Sequence, residues 1–171
     1  MPRRGALARL EPLVPPRFDN CSTLVRVTLV GFTVASGDSL EFGHPSWRPE
    51  DTVRHIVEVN RLAPLASSRA NLWRYPPGAS GRRHIQLVQE EIFVVLEGRL
   101  TMLLGEEEER HELGPRSIVV VEPMTPLKVV NESKDDVLFF AYGAPADPSS
   151  EILEDVPPGV KKRLTAGDIP G

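Results

Sequence analysis

The sequence is poor in several things, and each shortage excludes something. It has one cysteine, Cys21, among 171 residues, so no internal disulfide can form and a reducing compartment is permitted. Its longest apolar run, Leu24 to Ala35, is broken by Arg26, Gly31 and two threonines. That run is about half the length a membrane-spanning helix needs. A secretory leader would need an uninterrupted apolar region after Arg3-Arg4, and Glu11 and Pro12 interrupt it. No sign of charge dominates: 20 Lys and Arg against 24 Asp and Glu leave a net charge of −4. The one small basic cluster, Lys161-Lys162-Arg163, reads as a solvated tail, so neither nucleic acid nor a membrane is an expected partner. There is no Gly-rich phosphate loop, no Gly-x-Ser-x-Gly elbow and no Cys-x-x-Cys, which removes support for P-loop phosphoryl transfer and serine-hydrolase chemistry. These absences describe a soluble, cytoplasmic, single-domain protein large enough to bury a core without staples.

What is plentiful is turn chemistry. Seventeen prolines and thirteen glycines favour many short strands over long helices. Residues 1–20 lack a clear period and read as a loose arm; residues 21–68 read as strands and loops that pack on a barrel. Within that segment Leu24 to Val34 is rich in β-branched residues and predicts one strand, or two around Gly31. Val53 to Leu62 is ambiguous between strand and helix periods. From Arg69 the alternation is plain, with Ala70, Leu72 and Arg74 on one face and Asn71, Trp73 and Tyr75 on the other. Pro76-Pro77-Gly78 ends that strand. Short strands follow at His84–Val88, Ile92–Leu96, Arg99–Leu104, Arg110–Leu113, Ser117–Val121, Leu127–Asn131 and Val137–Tyr142. Strands at intervals of roughly ten residues, separated by turns, predict a small all-β barrel or sandwich over residues 69–145. Residues 146–171 form a tail with a short helix candidate at Glu151–Asp155.

The spacing Gly78-x5-His84-x-Gln86-x4-Glu91-x6-Gly98 resembles the first motif of the cupin superfamily, in which a second His would stand at position 86. Gly114 to Asn131 is similar to the second cupin motif, with Leu127 where that motif carries its His. The resemblance covers about half the chain. It implies an antiparallel double-stranded β-helix, or jelly-roll barrel, with extra N-terminal strands and little helix. It also implies a homodimer, in which the apolar outer faces of Ile92–Leu96 and Ser117–Val121 pack sheet on sheet.

By the same resemblance a divalent metal (Mn, Fe, Ni or Zn) would be held by His84, Gln86 and Glu91. His84 and Gln86, two apart on a strand, point to one face. A Gln amide is a weaker neutral ligand and Leu127 cannot ligate, so two donors of the usual quality remain where catalytic sites normally keep at least three. The reading is therefore of an atypical or absent metal site. The barrel is expected to bind a small organic molecule, with His84, Gln86 and Glu91 as polar contacts, Leu127 as an apolar wall, and Trp73 and Tyr75 as lining or core. The alternative is a metal-dependent cupin enzyme of the dioxygenase or sugar isomerase type with an altered ligand set. A His84–Glu91 pair doing acid–base work without metal is a third possibility. Arg82 and Arg83 read as solvated, with one of them a candidate for the mouth. His111 reads as exposed. His44, His55 and Glu90 are candidate replacement ligands, and Asn131 a residue that fixes a turn.

Overall fold

A computed structural model describes residues 31–147 and 149–153. The expected arm at 1–20, Cys21, residues 24–30 of the first expected strand and most of the tail lie outside the described residues. From Thr33 onward the described chain forms one compact unit.

Among the described residues ten strands make two five-stranded antiparallel sheets. In chain order they are β1 (His55–Glu58), β2 (Arg69–Tyr75), β3 (His84–Gln86), β4 (Glu90–Glu97), β5 (Leu100–Leu104), β6 (Glu109–Leu113), β7 (Ile118–Val121), β8 (Leu127–Val130), β9 (Val137–Ala144) and β10 (Ser150–Ile152). One sheet runs β1-β2-β9-β4-β7 and the other β10-β3-β8-β5-β6. The fold is thus the expected double-stranded β-helix with almost no helix, built as two sheets that do not close into a continuous barrel.

The strands form where apolar residues recur every second position, the period that turns alternate side chains to one face. In β9 the period is complete: Val137, Phe139, Ala141 and Gly143 are buried and the intervening residues are not. The inward residues of both sheets meet in one core that includes Trp73, Phe93, Leu100, Met102, Leu127 and Phe139. Asn131 clamps the end of it. Fully buried, it donates from Nδ2 to the Tyr75 and Asp135 carbonyls, and its Oδ1 accepts from the Ser133 amide and hydroxyl. At the β4–β5 turn Gly98 has φ 76°, and a Cβ there would meet the Asp136 carbonyl oxygen at 2.5 Å, so both backbone and space require glycine.

Four expectations need correction. Residues 31–34 are not a strand. The ambiguous Val53–Leu62 stretch divides into β1 and a single helical turn, α1 (Val59–Leu62), because only residues 55–58 find a partner strand. The helix expected at Glu151–Asp155 begins instead as β10, which the free edge of β3 captures through the pairs Ser150–Gln86, Glu151–Ile85 and Ile152–His84. Arg83 is not solvated: it is 4% exposed and ion-paired to Glu108 (3.0 Å) and Glu106 (3.8 Å), which draws the acidic β5–β6 turn onto it.

Candidate functional site

Three rungs of the first sheet build one wall of a cavity of about 550 Å³. The register places Arg69, Gly143 and Glu91 side by side on β2, β9 and β4. The next rung holds Asn71, Ala141 and Phe93, and the one after it Trp73, Phe139 and Val95. Side-chain alternation turns these residues to the same face, and all except Val95 line the cavity. The wall therefore grades from charged at one end to aromatic at the other. Ala141 keeps the middle strand of it low, while the space over Gly143 is taken by the Gln89 side chain.

The opposite wall comes from the second sheet. His84 and Gln86 project inward from β3 while Ile85 between them is buried on the other face. His84 sits directly opposite Leu127 in the β3–β8 ladder. The position at which the resemblance would place an imidazole is therefore in the right location and carries an apolar side chain, 2% exposed. Trp73 and Tyr75 serve both as lining and as core: their rings meet edge to face at 5.6 Å, and each packs on Phe139.

Three electrostatic features define the site. Burial pushes the Glu91 carboxyl up to about 7, against the pull of the Gln86 amide and the Arg69 charge. Its contact with Gln86 Nε2 is long, 3.4 Å, and Gln86 Oε1 and Glu91 Oε2 are both buried without a protein hydrogen-bond partner. His84 Nδ1 lies 3.0 Å from the Arg82 carbonyl, which can only accept, so Nδ1 carries the proton and Nε2 is left as an acceptor. Burial lowers the His84 pKa, the hydrogen bond to the Arg82 carbonyl works against it, and the Arg54 charge lowers it further, so the site favours the neutral ring. No hydrogen bond links His84 to Glu91; each has a different partner.

Sequence reasoning missed Arg54, Arg69 and Gln89. Arg54 is buried, ion-paired to Asp51, donates to the Tyr75 hydroxyl at 2.9 Å and lies over the Trp73 and Tyr75 rings at 5.3 and 5.6 Å. Burial works against the Asp51 carboxylate, but the hydrogen bonds and charge of Arg54 outweigh it and hold its pKa below the usual value. Burial raises the Tyr75 pKa, so the phenol stays neutral. Gln89 is 3% exposed, lies over Gly143 and donates to the Pro145 carbonyl. Arg69 could have been found from its place on the inward face of the alternating strand. For Arg54 and Gln89, both in irregular backbone, no period signalled the direction.

His44 and His55 do not replace a ligand. Their rings lie 5.2 Å apart, His44 Nδ1 approaches the Arg54 carbonyl, and neither lines the cavity. Glu90 is exposed and does not line the cavity. His111 is part-exposed beside Glu109. Among the described residues no three His, Cys, Asp or Glu come together in a way that could hold a metal ion. At the four positions the resemblance singles out, His84 and Glu91 are strong donors, Gln86 offers a neutral amide and Leu127 nothing; Glu50, the other described carboxylate on the lining, is exposed and paired with Arg48. This set does not fit the three-donor site the resemblance implies.

Comparison with known proteins agrees with the architecture. Residues 71–142 match the family model described as Cupin domain. No protein of curated function matches the chain. KdgF from a Halomonas species superposes with a TM-score of 0.55 at 19% identity, over 68% of this chain and 95% of that one. The polyketide cyclase RemF from Streptomyces resistomycificus superposes with a TM-score of 0.62 at 14% identity, over 71% and 85%. A sugar phosphate isomerase of the cupin superfamily from Silicibacter pomeroyi gives 0.53 at 21% identity, over 78% and 97%. At these identities the likeness is one of fold.

Proposed function

We propose that the chain, whose residues 71–142 match the Cupin domain family model, binds a small organic molecule between its two sheets without depending on a metal. One observation carries this reading. Gln86 Oε1 and Glu91 Oε2 are buried without protein partners on the wall of a cavity of about 550 Å³ that joins aromatic and aliphatic surface to arginine and amide side chains. A concave space that sets apolar surface beside converging polar groups suits a small organic molecule, and buried acceptors without donors favour a ligand that supplies them. A protonated Glu91 can donate as well as accept, and His84 Nε2 adds an acceptor, so hydroxyl or carbonyl groups of a ligand would be matched here.

The alternative is a metal-assisted enzyme with the altered set His84, Gln86 and Glu91. What favours it is that the two orphaned oxygens and the free imidazole nitrogen belong to those same residues. The named neighbours include a polyketide cyclase and a sugar phosphate isomerase, so the fold accommodates enzymes of both kinds.

Elemental analysis of tag-free protein, paired with a thermal-shift screen of small acids and sugars on metal-depleted protein, separates the two. The proposal expects ligands that stabilise the metal-depleted wild type and lose that effect in Glu91→Leu. Stoichiometric metal in the wild type that is lost in His84→Ala, with no stabilisation of the depleted protein, would establish the alternative.

We also propose a homodimer. Ile118 and Val120 on the edge strand β7 are 66% and 60% exposed, and Leu96 on the adjacent β4 is 44% exposed, an apolar surface suited to a second copy. Sedimentation that stays monomeric at micromolar concentration would sink this. No described helix is long and apolar enough to cross a membrane, and a cytoplasmic location remains part of the proposal.

A further inference from the structure

The cavity has a direction, and its cations are not equivalent. Arg48, Arg54, Arg69 and Arg82 all line it, in a protein whose net charge is −4. Arg54 is held by Asp51, and Arg48 by Glu50 at 3.4 Å. Arg69 forms no ion pair with a carboxylate among the described residues; its guanidinium stacks 5.9 Å from the Trp47 ring. On the wall it is separated from Glu91 by one intervening strand, β9, at Gly143, whose missing side chain is replaced by the Gln89 amide. Four residues further along the same face of β2 is the aromatic rung of Trp73 and Phe139, whose rings are stacked at 6.5 Å. Four residues of strand span ~13 Å. Trp47 bridges the two ends, meeting the Trp73 ring edge to face at 6.1 Å.

We propose that the molecule bound here is a small organic monoanion, a carboxylic acid, whose carboxylate is received by Arg69 and whose apolar ring or chain lies against Trp73, Phe139 and Leu127. This rests on the reading of the cavity as an organic-ligand site and narrows it to a substrate class. A planar guanidinium fork receives a carboxylate through two parallel hydrogen bonds, and a cation that no described carboxylate ion-pairs is available for this without first breaking such a pair. A single arginine with an acidic side chain on the same rung matches one negative charge better than two. The aromatic rung supplies the area that an acid's apolar part buries. Arg54, neutralised by Asp51 and tied to Tyr75, organises the far end and does not receive the anion.

The test uses the full chain and calorimetric titration with three probes of one shape: 3-phenylpropanoate, its neutral amide, and phenylethyl phosphate. The expected result is a carboxylate bound at least 10-fold tighter than the amide. In Arg69→Met that preference falls to about 2-fold or less while affinity for the amide is retained, which also shows that the variant is folded. An amide bound as tightly as the acid, or a preference that survives Arg69→Met, overturns the assignment to Arg69 and leaves the organic-ligand reading standing. A phosphate monoester bound tighter than the carboxylate overturns the monoanion class. If none of the three binds while an uncharged polyol or sugar does, the carboxylate proposal fails alone. If sugars also fail, the organic-ligand reading fails with it.

Discussion

Gln89 lies so close over Gly143 that a Cβ at position 143 would sit 2.3 Å from its Cδ and Oε1. Two residues more than fifty apart in sequence thus share the space of one side chain, between Arg69 and Glu91 on the cavity wall. The glycine lets an amide from irregular backbone enter a rung of the sheet, and the Pro145 carbonyl, which accepts from Gln89 Nε2, holds it there.

Gly143→Ala must therefore displace the Gln89 amide from its place beside the Pro145 carbonyl. The expected loss is ~1–3 kcal/mol, the usual cost of overpacking a filled site. In the double variant Gly143→Ala/Gln89→Ala the alanine at 143 should cost less than 1 kcal/mol beyond Gln89→Ala alone, because the clash is gone. Urea denaturation of the four proteins measures the coupling. Additive costs would show that the two side chains do not compete for this space.

Glu91 should make stability depend on pH in an unusual direction. Its folded pKa is raised from 4.5 to about 7 by burial, so between those values the folded chain keeps a proton that the unfolded chain has released. Stability contributed by this group is complete below pH 4.5 and is lost as pH rises through 7, by as much as ~3 kcal/mol at pH 8. Glu91→Gln, neutral throughout, should remove that slope. Urea midpoints at pH 5, 6, 7 and 8 for both proteins give the comparison, and identical slopes would show that Glu91 is ionised in the fold across the whole range.

Asn131 joins the end of β2 to the β8–β9 turn through both ends of its amide. Asn131→Ala leaves the Tyr75 carbonyl without that donor in a fully buried position and should cost ~3 kcal/mol. Asn131→Asp keeps the acceptor oxygen but loses the donor, so it should recover less than half of that loss. Full recovery by Asp would mean that the Ser133 contacts alone set the turn.

Arg54→Met removes the partner of Asp51 and the donor to the Tyr75 hydroxyl together. Breaking a part-buried ion pair from one side should cost ~2–4 kcal/mol. Arg54→Lys should not restore it, since an ammonium cannot serve Asp51 and Tyr75 through a planar fork while stacking on Trp73. Thermal unfolding of the three proteins checks the order; a lysine variant as stable as wild type would reduce the role of Arg54 to charge alone.

How much was legible beforehand follows the periodicity. The alternation from Arg69 to Tyr75 predicted β2 and both its faces, and the turns at Pro76-Pro77-Gly78 and Glu97-Gly98 lie where the sequence places them. The two-residue spacing of His84 and Gln86 placed both on one wall, and Glu91 and Leu127 line the same cavity. The His84–Glu91 pair does not form: Gln86 and the Arg82 carbonyl hold the two side chains separately.

By itself the sequence determined the strand pattern, the turns and the inward identity of the motif residues, because a period of two and the chemistry of proline and glycine are local. It also determined, through Leu127, that a wall of the site would be apolar. Only the tertiary structure decided what shares a rung with what: Arg69 with Glu91 across Gly143, Arg54 with Tyr75, Arg83 with the acidic turn, and β10 as a strand instead of a helix. Those outcomes depend on which partner is within reach once the sheets have formed. Burial then sets the charge of Glu91 and His84, and no spacing within the chain encodes how much water two facing sheets exclude.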